Sequence, residues 1–187
     1  PGTCRDLTAA QIAEREASGK PPAVRLRTEQ PSVTIVDRLH GEHTEVVDDV
    51  VLRRGDGTPA YNLVVVVDDD AQRVEEVVRA DDLLSSTPRH AHLADMLGIP
   101  RPTWAHVPLV LAADGDRLAK RHGAVTLDDR LAIGDTPGRV VAVLARSLGF
   151  EVPDEETTPA DLLDRFAANQ IALTPWTLTP EETDAPW

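Results

Sequence analysis

The sequence predicts an α/β protein, and two observations lead to that class. Of its 187 residues 41% are apolar but only 3% are aromatic, so Val, Leu and Ala must fill the core. Residues 73–115 show the pattern of a strand, a helix and a second strand, which is the order of a parallel α/β crossover. The length fits one domain, alone or with a small appendage.

The first part of the chain is predicted to form a short helix and a small β meander. Thr8 can cap a helix, and Gly19 ends it. Three segments then alternate apolar and polar residues, at 23–28, 32–41 and 46–54. Glycines supply turns between them, so half-buried consecutive strands are expected.

Residues 60–70, AYNLVVVVDDD, leave two interpretations open. The four valines favour a buried strand, whereas the length permits a helix, and periodicity does not decide between them. A strand is predicted at 73–84 and another at 106–115. Between them, Thr87 as cap, Pro88 at the first helical position and Gly98 as terminator predict a helix.

The last part of the chain is predicted to be helical. Thr-Pro pairs at 136–137 and 158–159 precede segments with helical apolar spacing. The end, residues 173–187, is rich in proline and is expected to be extended.

Composition excludes several classes of function. The chain has 19 Lys and Arg against 32 Asp and Glu, a formal net charge of −13, which disfavours nonspecific nucleic-acid binding but permits a specific RNA partner. A single cysteine, Cys4, excludes an internal disulfide, and no apolar run approaches the roughly 18 residues of a membrane span. A cytoplasmic protein is expected. Because the sequence starts at Pro1 without Met or a signal-like segment, an N-terminal portion is expected to be missing.

Clusters of possible metal ligands have ordinary interpretations. The histidines of HGEH at 40–43 and HAH at 90–92 lack the spacing of a zinc helix and are expected on the surface or in turns. The carboxylates at 68–70 and 81–82 are expected to be solvated, although magnesium binding is the alternative. Cys4 by itself is expected to be a small buried hydrophobe.

One loop gathers positive charge within this acidic chain. In GDRLAKRHGAV, residues 115–125, Leu118 can anchor the loop while Lys120 projects between Gly115 and Gly123. Such a geometry suits phosphate, although the loop lacks the spacing of a P-loop. An ordinary charged surface loop therefore remains the alternative.

The same loop resembles the second signature of class I aminoacyl-tRNA synthetases, a Lys-x-Ser-Lys-type element, in its glutamyl version. Arg117 stands where the first lysine usually does, and Ala119 replaces the serine. Residues 48–110 also resemble the amino-acid-binding half of the glutamyl synthetase catalytic domain. They share an Arg-x-Asp-Gly turn, a Tyr-Asn-Leu segment, paired aspartates, a Val-Arg strand end and a Thr-Pro-Arg helix, in that order. The segment RADDLL and Asp70 depart from the pattern.

The resemblance implies the C-terminal part of a Rossmann-type catalytic domain, and it makes the valine run helical. Within the family, the chain is most similar to the shortened paralogues that transfer glutamate to queuosine of tRNA(Asp). PGTCRDLT resembles the end of their zinc-binding loop, and the roughly 60 residues after the lysine loop are too few for an anticodon-binding domain. Three parts are implied: the end of the zinc-loop region with connecting elements (1–45), the second half of the catalytic domain with the lysine loop (46–130), and a helical appendage (131–187).

The resemblance also implies the site residues and ligands. Tyr61 and Arg79 fall where the family binds glutamate, Arg117 and Lys120 where it binds ATP, with Lys120 as the catalytic lysine, and Cys4 on the last zinc ligand. Glutamate, ATP with Mg²⁺ and queuosine-bearing tRNA(Asp) are the implied substrates, with zinc as a further cofactor, no membrane partner, and a monomer as the intact form. The first nucleotide-binding signature is absent. Two alternatives therefore stay open: a truncated discriminating glutamyl-tRNA synthetase, and a catalytically inactive binding fragment that needs an N-terminal partner.

Overall fold

A computed structural model of the chain describes residues 4–19, 21–29, 31–123, 126–153, 157–166 and 171–180. The chain forms two compact units. The first consists of Pro1–Val78 and Leu83–Ala105, and the second of Arg79–Asp82 and His106–Trp187. This division does not test the predicted three parts, which remain a prediction.

The first unit contains most of the regular structure. Its helices and strands are α1 (Ala9–Ala17), β1 (Val24–Arg25), β2 (Ser32–Asp37), β3 (Gly41–Val46), β4 (Val51–Arg53), α2 (Tyr61–Ala71), β5 (Glu76–Ala80), α3 (Thr87–Leu97) and β6 (Thr103–Val107). The last residues of β5 and β6 belong to the second unit. A 3-10 helix, Asp81–Ser86, follows β5 where the sequence predicts that the strand continues, because the alternating pattern ends at Ala80.

A four-stranded sheet in the order β3-β2-β6-β5 is the centre of the α/β fold. β2 is antiparallel to β3 and parallel to β6. The buried Asp37 closes the β2–β3 turn, because its carboxylate accepts the backbone N–H groups of Leu39 and His40, both at 3.0 Å. The expected consecutive meander is divided between two sheets, since β1 pairs with β4 in a separate two-stranded sheet.

Residues 61–71 form a helix, as the family resemblance predicts and as valine propensity does not. Only Val66 of this helix is buried, and the other valines lie on its half-buried or exposed sides. A helix packed on one side accommodates β-branched residues because packing outweighs their modest helix penalty. α2 packs against α3, which packs against β2 and β3.

One aliphatic cluster forms the core of the first unit. Alternation along β2 directs every second side chain inward, so Val33 and Ile35 are buried while Val36 is exposed. The other members of the cluster are Val47, Val50, Val66, Ala91, Leu93, Ala94 and Trp104.

The second unit consists of shorter elements. They are β7 (Val110–Ala112), a 3-10 turn (Lys120–His122), α4 (Leu127–Ala132), α5 (Pro137–Ser147), α6 (Pro159–Leu163) and β8 (Trp176–Leu178), which is parallel to β7. The helices expected after the two Thr-Pro pairs are present, and Thr136 and Thr158 cap α5 and α6 by accepting backbone N–H groups. α3, in contrast, begins after Ser86 and not after Thr87. The extended end is confirmed for β8, and residues 181–187 lie outside the described part.

No helix in the described part of the chain has both the length and the apolarity that a bilayer crossing demands.

Candidate active site

The predicted phosphate loop is built on a hairpin in the second unit. β7 turns at Gly115, whose φ of +82° favours glycine, and the chain returns beside it. Ala112 N–H donates to Asp116 O at 2.8 Å, and Leu118 N–H donates to Val110 O at 2.9 Å. These backbone bonds fix the half-buried Leu118 in the predicted anchoring place.

Lys120 begins the 3-10 turn that follows this hairpin. Ala119 N–H donates to His122 Nδ1 at 2.9 Å, and His122 N–H donates back to Ala119 O at 2.8 Å. The two bonds tighten the turn and leave the Lys120 side chain exposed. Its charge also makes a minor contribution to the lowered pKa of Asp129, which comes mainly from the Thr126 hydroxyl and backbone N–H.

The three cations of the loop differ in their partners. Arg117 Nη1 donates to Asp82 Oδ2 at 3.1 Å, and Arg121 Nη2 donates to Asp116 Oδ2 at 2.7 Å. Within the described ranges, Lys120 has neither a hydrogen bond nor an ion pair. Lys120 is therefore the loop cation that no ion pair neutralises among the described residues.

Arg79 lies at the end of β5, in the segment that belongs to the second unit. Its Nε–H donates to Nε2 of His106 at 3.0 Å, and His106, near the end of β6, is completely buried. A guanidinium is always charged and can bind a carboxylate with two parallel hydrogen bonds. This histidine contact was not predicted from the sequence, where His106 appears only as part of an apolar run.

Tyr61 lies in the first unit, as the first residue of α2. Its side chain is 62% exposed, and its ring contacts His90 edge to face, with centroids 6.4 Å apart. His90 Nε2 lies 2.9 Å from Asn62 Oδ1. The prediction that the HAH histidines lie on the surface or in turns is wrong for His90, which is 5% exposed, because α3 directs it into the unit.

Cys4 does not have the surroundings expected of it. It is exposed, so the expectation of a small buried hydrophobe is wrong, and Arg15 Nη1 lies 3.4 Å from its Sγ. Among the described residues, no group of three His, Cys, Asp or Glu side chains could hold a metal ion. Cys4 thus has no zinc co-ligands within that part of the chain.

The acidic clusters are partly solvated. Asp68 and Asp70 are exposed, in agreement with the expectation. Asp82 is exposed as well, and its carboxylate also binds Arg117. The sequence offered no signal for this pair, whose members are 35 positions apart.

The predicted site residues lie in both units. Arg79, Arg117 and Lys120 belong to the second unit, and Tyr61 and Cys4 to the first.

The comparison with protein families identifies the chain's relatives. A family described as tRNA synthetases class I (E and Q), catalytic domain, matches residues 1–169. The glutamyl-Q tRNA(Asp) synthetase of Nocardia farcinica is 58% identical over 96% of this chain, which covers 56% of that protein. The synthetase of the same name from Cutibacterium acnes is 48% identical over 94% of this chain and 48% of its own length. The chain thus spans about half the length of these relatives.

Two less similar matches are a glutamate–tRNA ligase and a solved structure, and the structure supports the fold alone. The glutamate–tRNA ligase of Geotalea uraniireducens is 38% identical over 97% of this chain and 38% of its own length. A crystal structure of a glutamate tRNA ligase from Elizabethkingia meningosepticum, in complex with its amino acid, matches with a TM-score of 0.68 at 20% identity, over 96% of this chain and 40% of that chain. The latter supports a class I synthetase catalytic fold with mixed α/β structure.

Proposed function

The chain belongs to the class I tRNA synthetases of the E and Q type, and from this premise we propose that it takes part in activating glutamate with ATP and in transferring the glutamyl group to queuosine of tRNA(Asp). The observation that carries the finer part is the 58% identity to a glutamyl-Q tRNA(Asp) synthetase over nearly the whole chain, against 38% to a glutamate–tRNA ligase. Activation belongs to the family's ligase chemistry. The choice of tRNA rests on the identities alone.

In the proposed first step, a carboxylate oxygen of glutamate attacks the α-phosphorus of ATP. A new oxygen–phosphorus bond forms as the bond to pyrophosphate breaks, which gives glutamyl adenylate and pyrophosphate. Negative charge grows on the phosphate oxygens during this displacement, and a fixed cation nearby lowers the barrier. Lys120 is the proposed catalytic cation because it is exposed and, within the described chain, forms no ion pair or hydrogen bond.

Arg117 is proposed to assist at the ATP phosphates. Its ion pair with Asp82 is exposed to solvent, with side-chain exposures of 69% and 31%. Pairs of this kind contribute little, about 0–1 kcal/mol, so an arriving phosphate can share or replace Asp82 at small cost. The pair therefore does not exclude Arg117 from ATP.

Glutamate is proposed to bind Arg79 and Tyr61. The Arg79 guanidinium can hold a carboxylate through two parallel hydrogen bonds, and Tyr61 offers an exposed hydroxyl and a ring face. The ring contact with His90 stabilises the Tyr61 ring from one side. These roles are carried over from the family onto matching positions.

The family implies two metals, Mg²⁺ and zinc, and the described residues do not suit them equally well. Mg²⁺ would enter with the ATP phosphates and share their charge, because the described residues offer no cluster of three ligands for it. Zinc does not fit the described part of the chain, where Cys4 has no co-ligands and lies beside an arginine. No step of the proposed reaction depends on zinc.

The test is glutamate-dependent exchange of labelled pyrophosphate into ATP without any tRNA. It is measured on the 187-residue chain and on the complete product of its gene, called below the polypeptide as encoded. We expect exchange by the encoded polypeptide without tRNA. A strict tRNA requirement would favour a discriminating glutamyl-tRNA synthetase. Exchange that appears only when an N-terminal partner is added would favour the binding-fragment alternative.

A further inference from the structure

His106 is a buried polar side chain to which the proposed reaction assigns no role. It is the fourth residue of β6, belongs to the second unit and is completely inaccessible to solvent. Buried polar atoms in folded proteins are nearly always hydrogen-bonded, because an unsatisfied one is costly. One partner of His106 is Arg79, the proposed glutamate ligand.

The direction of the hydrogen bond defines the state of the imidazole. Arg79 Nε carries a hydrogen and can only donate, so His106 Nε2, 3.0 Å away, must accept. His106 is therefore neutral, with its proton on Nδ1. A protonated imidazole would place an N–H donor and a second positive charge against a permanent cation.

The bond also constrains the arginine. A guanidinium on a flexible stem can rotate about its last bonds, and binding a carboxylate in the two-bond geometry requires it to stop rotating. A hydrogen bond at Nε fixes the plane of the group before any ligand arrives, because the buried His106 cannot move with it. The Nη atoms are then presented in one orientation.

A second contact holds the same short segment. Arg79 and Asp82 are the first and last residues of the tetrapeptide that belongs to the second unit. Asp82 binds Arg117 of the lysine hairpin at 3.1 Å, and Arg79 binds His106 at 3.0 Å. The tetrapeptide is thus fixed at both ends.

We propose that His106 is a positioning residue for glutamate binding, whose neutral Nε2 orients the Arg79 guanidinium toward a carboxylate of the amino acid. This inference rests on the proposed function, since it assumes that Arg79 contacts glutamate. His106 itself touches no substrate. Because Arg79 is already held in one orientation, it loses less side-chain conformational entropy when glutamate binds.

The experiment compares His106→Phe, which keeps the ring and removes the acceptor, with His106→Gln, whose side-chain oxygen can accept near the same place. The first readout is the ¹⁵N-edited NMR signal of the Arg79 Nε–H in the 187-residue chain, assigned by its loss in Arg79→Lys. We expect slow solvent exchange of this hydrogen in the parent and in His106→Gln, and fast exchange in His106→Phe. Unchanged exchange in His106→Phe would overturn the inference without any reference to activity.

The second readout is pyrophosphate exchange by the polypeptide as encoded. We expect His106→Phe to raise the glutamate KM about tenfold, with kcat and the ATP KM within about twofold, and His106→Gln to recover most of the loss. In an Arg79→Lys background, His106→Phe should add little. Equal damage by the Phe and Gln variants would indicate a purely structural role and overturn the inference.

The two proposals fail in different ways. If Arg79→Ala leaves the glutamate KM unchanged while the Nε–H signal behaves as expected, the glutamate role of Arg79 is wrong and the hydrogen bond is real. If Arg79→Ala raises the glutamate KM and His106→Phe does not, the positioning inference is wrong and the glutamate role stands.

Discussion

The two units of the chain are stabilised by different kinds of contact. The core of the first is an aliphatic cluster that includes Val33, Ile35 and Leu93, capped by Trp104. The second has fewer buried apolar residues among those described, and it contains an ion pair, Arg130 with Asp135, whose side chains are completely buried. Both units bury polar groups, but a completely buried ion pair makes the stability of the second unit depend strongly on one polar contact.

The proposed ligand residues are also distributed unequally between the two units. Three of the four proposed ligand residues, Arg79, Arg117 and Lys120, belong to the unit with the buried ion pair. Buried polar contacts help to hold charged groups in fixed directions.

The largest effect is expected from breaking the buried ion pair of the second unit. Arg130 Nε donates to Asp135 Oδ2 at 2.6 Å, with side-chain exposures of 1% and 0%. Asp135→Ala leaves a buried charge without its carboxylate and should cost about 3–5 kcal/mol of the free energy of unfolding. Hydrogen exchange should show this loss first in α5, with β2 and β3 protected. The control is Asp128→Ala, which removes an exposed acid of α4 and should change the free energy of unfolding little.

A loss of less than about 1 kcal/mol for Asp135→Ala would contradict the contrast between the two units.

A slightly smaller free-energy effect is expected at the loop lysine. Lys120→Ala should slow adenylate formation about 10²–10³-fold, because the developing phosphate charge loses its cation, with the glutamate KM little changed. Pyrophosphate exchange measures both. Arg121→Ala is the matched control, since Arg121 is the next cation in the loop and is already paired with Asp116. Equal losses in the two variants would mean that the loop acts only through its total charge.

Trimming the aliphatic core should have a moderate effect. Ile35 is 2% exposed, and Ile35→Val removes one methylene group from the cluster, at a cost of about 0.5–1.5 kcal/mol. The adjacent Val36 is 66% exposed on the opposite face of the strand, so Val36→Ala should cost less. Urea unfolding compares the two. A larger loss for Val36→Ala would show that the strand's inward face is assigned wrongly.

The smallest effect concerns acid stability of the first unit. Arg5 binds both carboxylate oxygens of Asp49, Nε to Oδ2 at 2.7 Å, and this guanidinium holds the pKa of Asp49 well below its usual range. A carboxyl group with a lowered folded-state pKa contributes stability above its unfolded pKa, about 3.9, and loses that contribution as pH falls. The Tm difference between the parent and Asp49→Asn should therefore be largest near neutral pH and shrink in acid.

Removing the other partner provides the check on this pair. Arg5→Met should reduce the same pH-dependent part of the Tm, because Asp49 then returns toward an ordinary pKa. A Tm difference for Asp49→Asn that stays constant from pH 7 to about pH 3 would contradict the assignment.

The sequence predicted what depends on local patterns. The sequence showed the alternation in β2, the helices after the two Thr-Pro pairs and the anchoring by Leu118, because each of these signals lies within a few residues. The α2 helix came from the family resemblance, since four consecutive valines favour a strand. The loop motif likewise indicated Lys120 before the structure showed its uncommitted charge.

What the sequence could not predict depends on distant partners. Arg79 and His106 are 27 positions apart, and Arg117 and Asp82 are 35 apart, so no local pattern joins them. The burial of His90 and of the Arg130–Asp135 pair also follows from tertiary packing, although the two members of the pair are only five positions apart. Cys4 is exposed, contrary to the usual burial of free cysteine.

The most direct test of the central claim is transfer of labelled glutamate by the polypeptide as encoded, supplied with ATP and with purified tRNAs. The proposal predicts label on tRNA(Asp) that carries queuosine, no label on tRNA(Asp) without the modified base, and no label on tRNA(Glu). Removal of the 3′-terminal adenosine should leave the transfer intact, because the proposed acceptor is the modified base. Charging of tRNA(Glu) with none on queuosine-bearing tRNA(Asp) would contradict the claim.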